Sequence, residues 1–565
     1  VRRALVLLLL GSLTFVAGLG NPAITDSDEA FYAESAREMI ARGDWITPYF
    51  NDETRFQKPI LFYWLIAATY AVAGVGEAQA RIWAAASGLG LVLVTFAVGR
   101  RWYGETAGLV GGAIIATSFG AFYMARQSLP DLPLAFFMTV ATWAAIEGVQ
   151  LTAPGRDGGA PPTPDARRRW LVVSAAAMAF GLLAKGPVAV VLPAATAVLL
   201  MAWERRGRRG TGWLPVPMTD LLLAIVVFAL IAVPWFLSVT LVHGADYLVR
   251  FFFTENVERF ATDRYNEPRS VFTYVPVILG GFMPWTAFLL LWIAPLVRVV
   301  RRVRPLAAAE VRIALWALVP FLFYSVSVGK QPRYVLPCLT PLAVLLAASI
   351  WSRLRAADAR GGGRDPGLAL LSLATAATIV LVGALTLRLG PMFEAADPSW
   401  GPTGPYLMIA AGVLAAMVAL VAPPRVTIGA VTGAAAATLL AVHASVFSPA
   451  RPEPVEAIAA AVRAQGAEPS VCTCGAFTRN LVFYTHHPTL VGEFDADAQR
   501  ILEQTNRTIV VVDEPMLARI EQATGRRYIR LAETTYLNLA ALRAEDLVNP
   551  DPARRLQQIV LASNR

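Results

Sequence analysis

Charge is scarce in this chain. Asp, Glu, Lys and Arg make up 16% of its 565 residues, while 56% are hydrophobic and the mean hydropathy is +0.52. That composition excludes an ordinary soluble enzyme and a disordered chain alike, and it fits a protein that crosses a membrane many times. Cysteine is scarcer still: three residues supply no disulfide framework. The charge that is present leans positive, at +9, and most of it is arginine. These arginines gather in short loops between apolar runs. That placement excludes a nucleic-acid-binding face and makes them markers of membrane orientation. The apolar runs reach roughly 18 residues, enough to cross about 30 Å of hydrocarbon. The first, VRRALVLLLLGSLTFVAGLG, has features of a signal peptide, but more spans follow and it is expected to stay as the first helix.

The basic short loops are Arg2-Arg3, Arg100-Arg101, 156–169, 204–210, 298–304, 353–365 and Arg425. Positive charge favours the cytoplasmic side, and all seven loops lie there only if one apolar stretch does not cross. That stretch is PILFYWLIAATYAVAGVG at 59–76, which is expected to form a hairpin or juxtamembrane helix on the outer face. Irregular segments are tolerated at membrane depth where they pack on protein or line a cavity. The other runs give about thirteen spans, from 4–20 to 427–446. The expected architecture is a polytopic α-helical membrane region over 1–446, whose outer loop 21–80 holds juxtamembrane helices, followed by a small soluble α/β domain over 447–565. In that tail TIVVVDE (508–514) and VCTCGAF (471–477) read as strands. DADAQRILEQT and EPMLARIEQAT read as amphipathic helices.

Helical spacing over 27–42 puts Tyr32, Ala36, Met39 and Ile40 on one face, with Asp26 or Ser27 as cap and Gly43 as stop. Asp28 and Glu29 fall in the first turn. There they either complement the helix dipole or face a reactive group at membrane depth. Lys58, before Pro59, either snorkels or clamps an anion. Lys185 sits in LLAKGPV between two spans, and Arg126 and Asp131 flank a helix junction in ARQSLPDLP. Segment 242–272 adds Arg250, Glu255, Arg259 and Arg264, and GKQPRY adds Lys330, Arg333 and Tyr334. Bases held on the side where topology disfavours them need a reason. A phosphate or pyrophosphate ligand supplies one, because Arg grips it bidentately and Lys as a point charge. In the tail, Cys472 and Cys474 with His486 and His487 form a weaker pattern for metal.

The stretches DSDEAFYAESAREMIARGDWITPYFNDETRFQKPILFYWL, ARQSLPDLPLAFF, GLLAKGPVAVVLP, TENVERF, GGFMPWT and GKQPRYVLPCLTPLAVLLA follow one another over roughly residues 1–350. In this order they resemble the bacterial lipid-carrier-dependent glycosyltransferases, relatives of aminoarabinose transferase and of the protein O-mannosyltransferases. The resemblance implies a GT-C membrane glycosyltransferase of the bacterial inner membrane, with active site and tail domain periplasmic. The donor is then a sugar on undecaprenyl phosphate or a similar carrier. The acceptor is a lipid A-like lipid or another envelope molecule, and the chain acts as a monomer. The family's first-loop acid falls on Asp28, with Glu29 beside it, and its second-loop acid on Asp131. Its donor-phosphate lysine falls on Lys58 and its loop arginine on Arg259. Its basic-aromatic motif falls on Lys330, Arg333 and Tyr334. Tyr32, Gln57, Tyr63, Arg126, Lys185 and Glu255 complete the expected cavity. Three positions depart. Gln57 replaces a common Glu and Thr254 a common His, at positions that contribute to zinc in aminoarabinose transferases. Phe31 replaces an Arg. An amide and a hydroxyl are poor zinc ligands, so that zinc is not expected and no cofactor is required, with another divalent metal left open.

The implied reaction is inverting attack at the anomeric carbon with polyprenyl phosphate leaving. Lys58, Arg259 and Arg333 would stabilise the leaving phosphate. Asp28 would act as general base toward a hydroxyl acceptor, or orient a phosphate acceptor. A protein O-mannosyltransferase, a lipid-linked-sugar flippase and a non-enzymatic membrane scaffold are the competing classes. Transporters tend to place charges within broken spans; here they concentrate in outer loops.

Overall fold

Caps and breakers cut the apolar sequence into helices. In chain order these are α1 (Arg2–Phe15), α2 (Asp28–Arg42), α3 (Leu61–Ala73), α4 (Glu77–Tyr103), α5 (Glu105–Ala116), α6 (Phe119–Ala125), α7 (Asp131–Val149), α8 (Pro164–Ala184), α9 (Val188–Glu204) and α10 (Met218–His243). Further helices run to Phe447. The computed structural model describes residues 2–150, 162–206, 216–263, 268–301, 306–448, 453–466 and 469–565. The basic loops at 156–169, 204–210 and 298–304 lie partly, and Arg264 wholly, outside them.

Among the described residues eight helices are long and apolar enough to cross a membrane, or ten if two bent pairs each count as one span. The pairs are α5 with α6, bent by 58°, and Tyr274–Gly281 with Trp285–Val300, bent by 118°. The other three expected spans fall on α1 and α9, short at 14 and 17 residues, and on α8, which carries Arg167, Arg168 and Arg169 near its start. Helix α3 has 13 residues, about 20 Å at 1.5 Å per residue, and is too short for the hydrocarbon core. Where a hairpin or a juxtamembrane helix is expected over 59–76, the chain forms one short helix, and it packs on α2 through Tyr63 and Phe62, whose rings meet Tyr32 at 5.2 and 5.5 Å.

Trp285 is fully buried, and its indole N–H donates to Thr117 Oγ1 at 2.9 Å. His443 is likewise interior, 2.7 Å from the Arg126 guanidinium.

The tail folds on a five-stranded sheet in the order β4-β3-β5-β7-β6. A short hairpin, β1 (Tyr49–Phe50) and β2 (Glu53–Thr54), precedes it in the first loop. The sheet strands are β3 (Ser470–Cys474), β4 (Leu490–Gly492), β5 (Thr508–Asp513), β6 (Ile529–Leu537) and β7 (Leu556–Ser563). β3 runs parallel to β4 and β5, while β7 runs antiparallel to β5 and β6. Alternation on β5 sends Ile509 and Val511 into one core with Val455 and Ile458. It sends Val510 and Val512 into the opposite core with Leu517 and Ile520. Cys472 and Cys474 share a face of β3 with sulfurs 3.1 Å apart. Among the described residues no group of three His, Cys, Asp or Glu is arranged to hold a metal.

Candidate functional site

The site begins at the cap of α2. Ser27 takes the N-cap position and its hydroxyl accepts the Glu29 N–H, while Gly43 ends the helix in the left-handed region at φ 67°. Successive residues on a helix point about 100° apart, so the two first-turn acids diverge. Asp28 turns outward to Arg333, with which it pairs; Glu29 turns into the core.

Beside Asp28 a cavity of about 470 Å³ opens among the loop that precedes α3 and the loops that follow α6, α8 and α10. Its polar lining is Lys58, Asp131, Lys185, Glu255, Arg259, Arg333 and Tyr334, set among Phe252, Phe253, Phe260 and Phe323. Each polar group has a local cause. Asp131 opens α7 after Pro130, where its carboxylate meets the positive end of the helix. It pairs with Lys185 and lies 3.4 Å from Arg333 Nε. Lys185 sits on the turn between α8 and α9. The next residue, Gly186, has φ 142°, and a β-carbon there would come within 2.9 Å of Asn256, so glycine lets that loop close against the lysine. Lys185 Nζ also lies 5.0 Å from the centre of the Tyr334 ring. Glu255 projects from a wide π-helical segment, Arg250–Glu258, and pairs at 2.8 Å with Arg259, which opens the short helix turn that follows. Such widened turns recur at functional sites because they re-aim side chains.

Charge balance in this cavity is uneven. Its lining holds four bases against two acids. Burial, with the charges of Arg259 and Lys185 adding to it, pushes the Lys58 ammonium down to about 7. Burial also lowers Lys185, against the pull of Asp131. At Asp28 burial favours the neutral acid. The charge and hydrogen bond of Arg333, joined by Arg479 and Arg55, outweigh it and hold the carboxyl below its ordinary range. A phosphate complements a lining of this charge, because it favours the charged lysines and takes bidentate contacts from guanidinium groups.

The structure thus brings Lys58, Asp131, Lys185, Glu255, Arg259, Arg333 and Tyr334 together, with Asp28 attached through Arg333. Other expected members sit elsewhere. Glu29, expected beside Asp28 as a catalytic acid, is instead a structural ion. It is fully buried, bridged by Arg81 at 2.7 and 3.0 Å, and accepts the Ser128 N–H at 2.8 Å and the Thr25 N–H at 3.0 Å. Arg126 is spent on chain carbonyls, donating to Thr14 and Ala17 at the end of α1. Lys330, expected to bind donor phosphate, donates to the carbonyls of Ser327 and Arg269 and is 3% exposed. Tyr32 and Tyr63 pack α2 on α3. Gln57 is half-buried beside Lys58 with its amide oxygen unpartnered, and Thr254 lies on the π-helical segment. Neither residue offers a good zinc donor, so the set does not fit that metal. Arg250 is exposed.

Three residues escaped the sequence reading: Arg55, Arg81 and Arg479. Arg81 lies inside an apolar run at helical spacing, and a charge buried in a span is a usable signal. Arg479 comes from the tail, more than 400 positions from Asp28, and no local pattern reveals it.

Comparison with known proteins agrees with this geometry. Residues 5–247 match the family model of dolichyl-phosphate-mannose-protein mannosyltransferase. A Pseudomonas paraeruginosa undecaprenyl phosphate-alpha-4-amino-4-deoxy-L-arabinose arabinosyl transferase is 32% identical over 386 residues, 66% of this chain and 65% of that protein. The same-named protein of Shewanella sediminis is 29% identical over 396 residues, 67% of this chain and 66% of its own length. The match thus spans just under two thirds of these relatives. Among solved structures, ArnT from Cupriavidus metallidurans bound to undecaprenyl phosphate superposes with a TM-score of 0.74 at 23% identity, covering 99% of this chain and 98% of that one. The Archaeoglobus fulgidus oligosaccharyltransferase in its apo form gives a TM-score of 0.54 at 12% identity, over 91% of this chain and 69% of that one. The fold is therefore the GT-C membrane fold of ArnT, and over about two thirds of its length the chain is similar in sequence to the undecaprenyl phosphate-aminoarabinose arabinosyl transferases.

Proposed function

We propose that this protein transfers a sugar from a polyprenyl-phosphate donor, of the undecaprenyl type, to a lipid A-like or other envelope acceptor. The site faces the periplasm in the bacterial inner membrane, and the chain acts as a monomer. The observation that carries this reading is the excess of bases in a cavity whose other walls are apolar: Lys58, Lys185, Arg259 and Arg333 against Asp131 and Glu255, beside Phe252, Phe253 and Phe260. A phosphate joined to a long hydrocarbon needs that pairing of surfaces. The ArnT neighbour is bound to undecaprenyl phosphate, which supports the donor class.

In the reaction an acceptor oxygen forms a bond to the anomeric carbon. The bond from that carbon to the phosphate oxygen breaks, and polyprenyl phosphate leaves with the electron pair. Charge grows on the leaving phosphate in the transition state. Lys58, Lys185 and Arg259 are fixed donors aimed into the cavity where that charge develops. Asp131 holds Lys185 and Arg333 in register. Asp28, kept ionised by Arg333, is a weak base. It is better suited to orienting an acceptor that is already nucleophilic, such as a phosphate monoester, than to deprotonating a hydroxyl. No resident metal enters the scheme, since Gln57 and Thr254 are poor ligands. Chelator treatment is expected to leave transfer within about twofold, as the electrostatic role falls to fixed cations.

The test is Lys58→Ala in membranes given labelled undecaprenyl-phosphate sugar. Donor KM is expected to rise by roughly tenfold to a hundredfold, the size of a lost charge-assisted contact. Unchanged donor saturation would remove Lys58 from the phosphate site.

A further inference from the structure

The first loop and the tail domain are stitched together at the start of α2. Asp26 accepts the backbone N–H of Arg479 at 2.7 Å and of Thr478 at 3.2 Å. Asn480 donates to the Ile24 carbonyl at 2.9 Å, and the Ile24 N–H donates to the Tyr484 hydroxyl at 2.7 Å. Asn51, beyond α2, exchanges two hydrogen bonds with the Thr489 backbone, at 2.7 and 2.8 Å. These bonds fix the Arg479 backbone two residues before Asp28, and its side chain remains exposed.

That side chain lies over the ring of Phe31, with the guanidinium carbon 5.4 Å from the ring centre. The Arg55 guanidinium lies over the same ring at 3.8 Å. Phe31 is three residues after Asp28 on α2, the spacing that makes side chains neighbours on one helix face. An aromatic ring attracts a guanidinium to its face, so one phenyl ring parks two cations beside one carboxylate. The Arg55 Nε is buried without a hydrogen-bond partner. Both arginines lie outside the donor cavity, whose lining ends at Arg333. Asp28 therefore feels two sets of bases: Arg333, which lines the cavity, and Arg55 with Arg479, which do not.

We infer that Arg479 of the tail domain and Arg55 of the first loop, held on Phe31, bind the anionic group of a phosphorylated glycolipid acceptor and present it to Asp28 from outside the donor cavity. This inference rests on the proposed transferase reading and assigns the tail a part in the site. A phosphate set between two guanidinium groups takes bidentate contacts from each.

The experiment uses the full-length protein in detergent and two probes with identical acyl chains, bisphosphorylated lipid A and the same lipid after enzymatic dephosphorylation. Undecaprenyl phosphate serves as donor-side control. The wild type is expected to prefer the phosphorylated lipid by about tenfold or more. Arg479→Glu is expected to abolish that preference and Arg479→Lys to keep part of it, with undecaprenyl phosphate affinity unchanged in both. Because the Arg479 side chain is exposed and the tie to Asp26 runs through its backbone, neither variant disturbs the fold. Retention of the preference by Arg479→Glu, or a wild type indifferent to the phosphates, would overturn the inference. A wild type that prefers the phosphorylated lipid but binds no undecaprenyl phosphate would sink the donor assignment while supporting the arginine pair.

Discussion

Asp28 and Glu29 are neighbours on α2, and each is met by an arginine, yet the two pairs are built in opposite ways. Around Glu29 everything is closed. Both partners are essentially unexposed, and the remaining Arg81 donors reach the carbonyls of Leu19, Pro22 and Ala23 at 2.7–3.0 Å. Around Asp28 the account is open. Its side chain is 41% exposed, Arg333 is 23% exposed, and Arg333 divides its attention between Asp28 and Asp131. The closed pair ties the chain after α1 to α4 and to the turn before α7. The open pair sits at the edge of a cavity with surplus cations. Satisfied charge marks scaffolding here, and unsatisfied charge marks the place where a ligand acts.

Four substitutions or conditions sharpen that contrast. The largest effect is expected for Glu29→Ala, which strands the buried Arg81. It should cost about 3–5 kcal/mol of stability, read as a lower melting temperature in detergent; a melting temperature like the wild type's would reassign Glu29. Next, Arg333→Ala should cut turnover by about 10²–10³-fold with melting little changed, because its partners border a cavity. Loss of fold instead would move Arg333 to the scaffold. Third, burial and the charges of Arg259 and Lys185 bring the Lys58 ammonium down to about 7, so its charge is held below that pH and lost as pH rises through it. kcat/KM for the donor should therefore fall by about tenfold per pH unit above that value, while kcat holds to higher pH because bound phosphate favours the ammonium. A flat kcat/KM profile to pH 9 would contradict the assignment. The smallest effect belongs to Asp52→Asn. It removes an exposed partner of Arg42 and should shift stability by less than about 1 kcal/mol.

The same contrast explains what could be read from the sequence. The short α3 was legible because arginine placement leaves no room for a crossing at 59–76. The members of the cavity were legible as bases on the disfavoured side, and the motif order named them. The division of labour between Asp28 and Glu29 was not, because both fit a first helical turn and only packing says which faces the core. Lys330 misled for a related reason: it satisfies its charge on the carbonyls of Ser327 and Arg269, and carbonyls leave no mark in a sequence. In the tail, the apolar β5 announced itself. β6 is laced with Arg530, Glu533 and Thr534, and β7 begins with Gln557 and Gln558, so neither reads as a strand until β5 is there to pair with. Arg55 and Arg479 meet on Phe31 only through the tertiary fold.

The central claim is that Asp28 acts on the acceptor while the bases of the cavity hold the donor. Its most direct measurement is sugar transfer by Asp28→Asn, with undecaprenyl phosphate binding measured on the same purified protein. The account predicts transfer reduced by at least about 10²-fold with carrier affinity within about twofold of wild type. Transfer at the wild-type rate would contradict it.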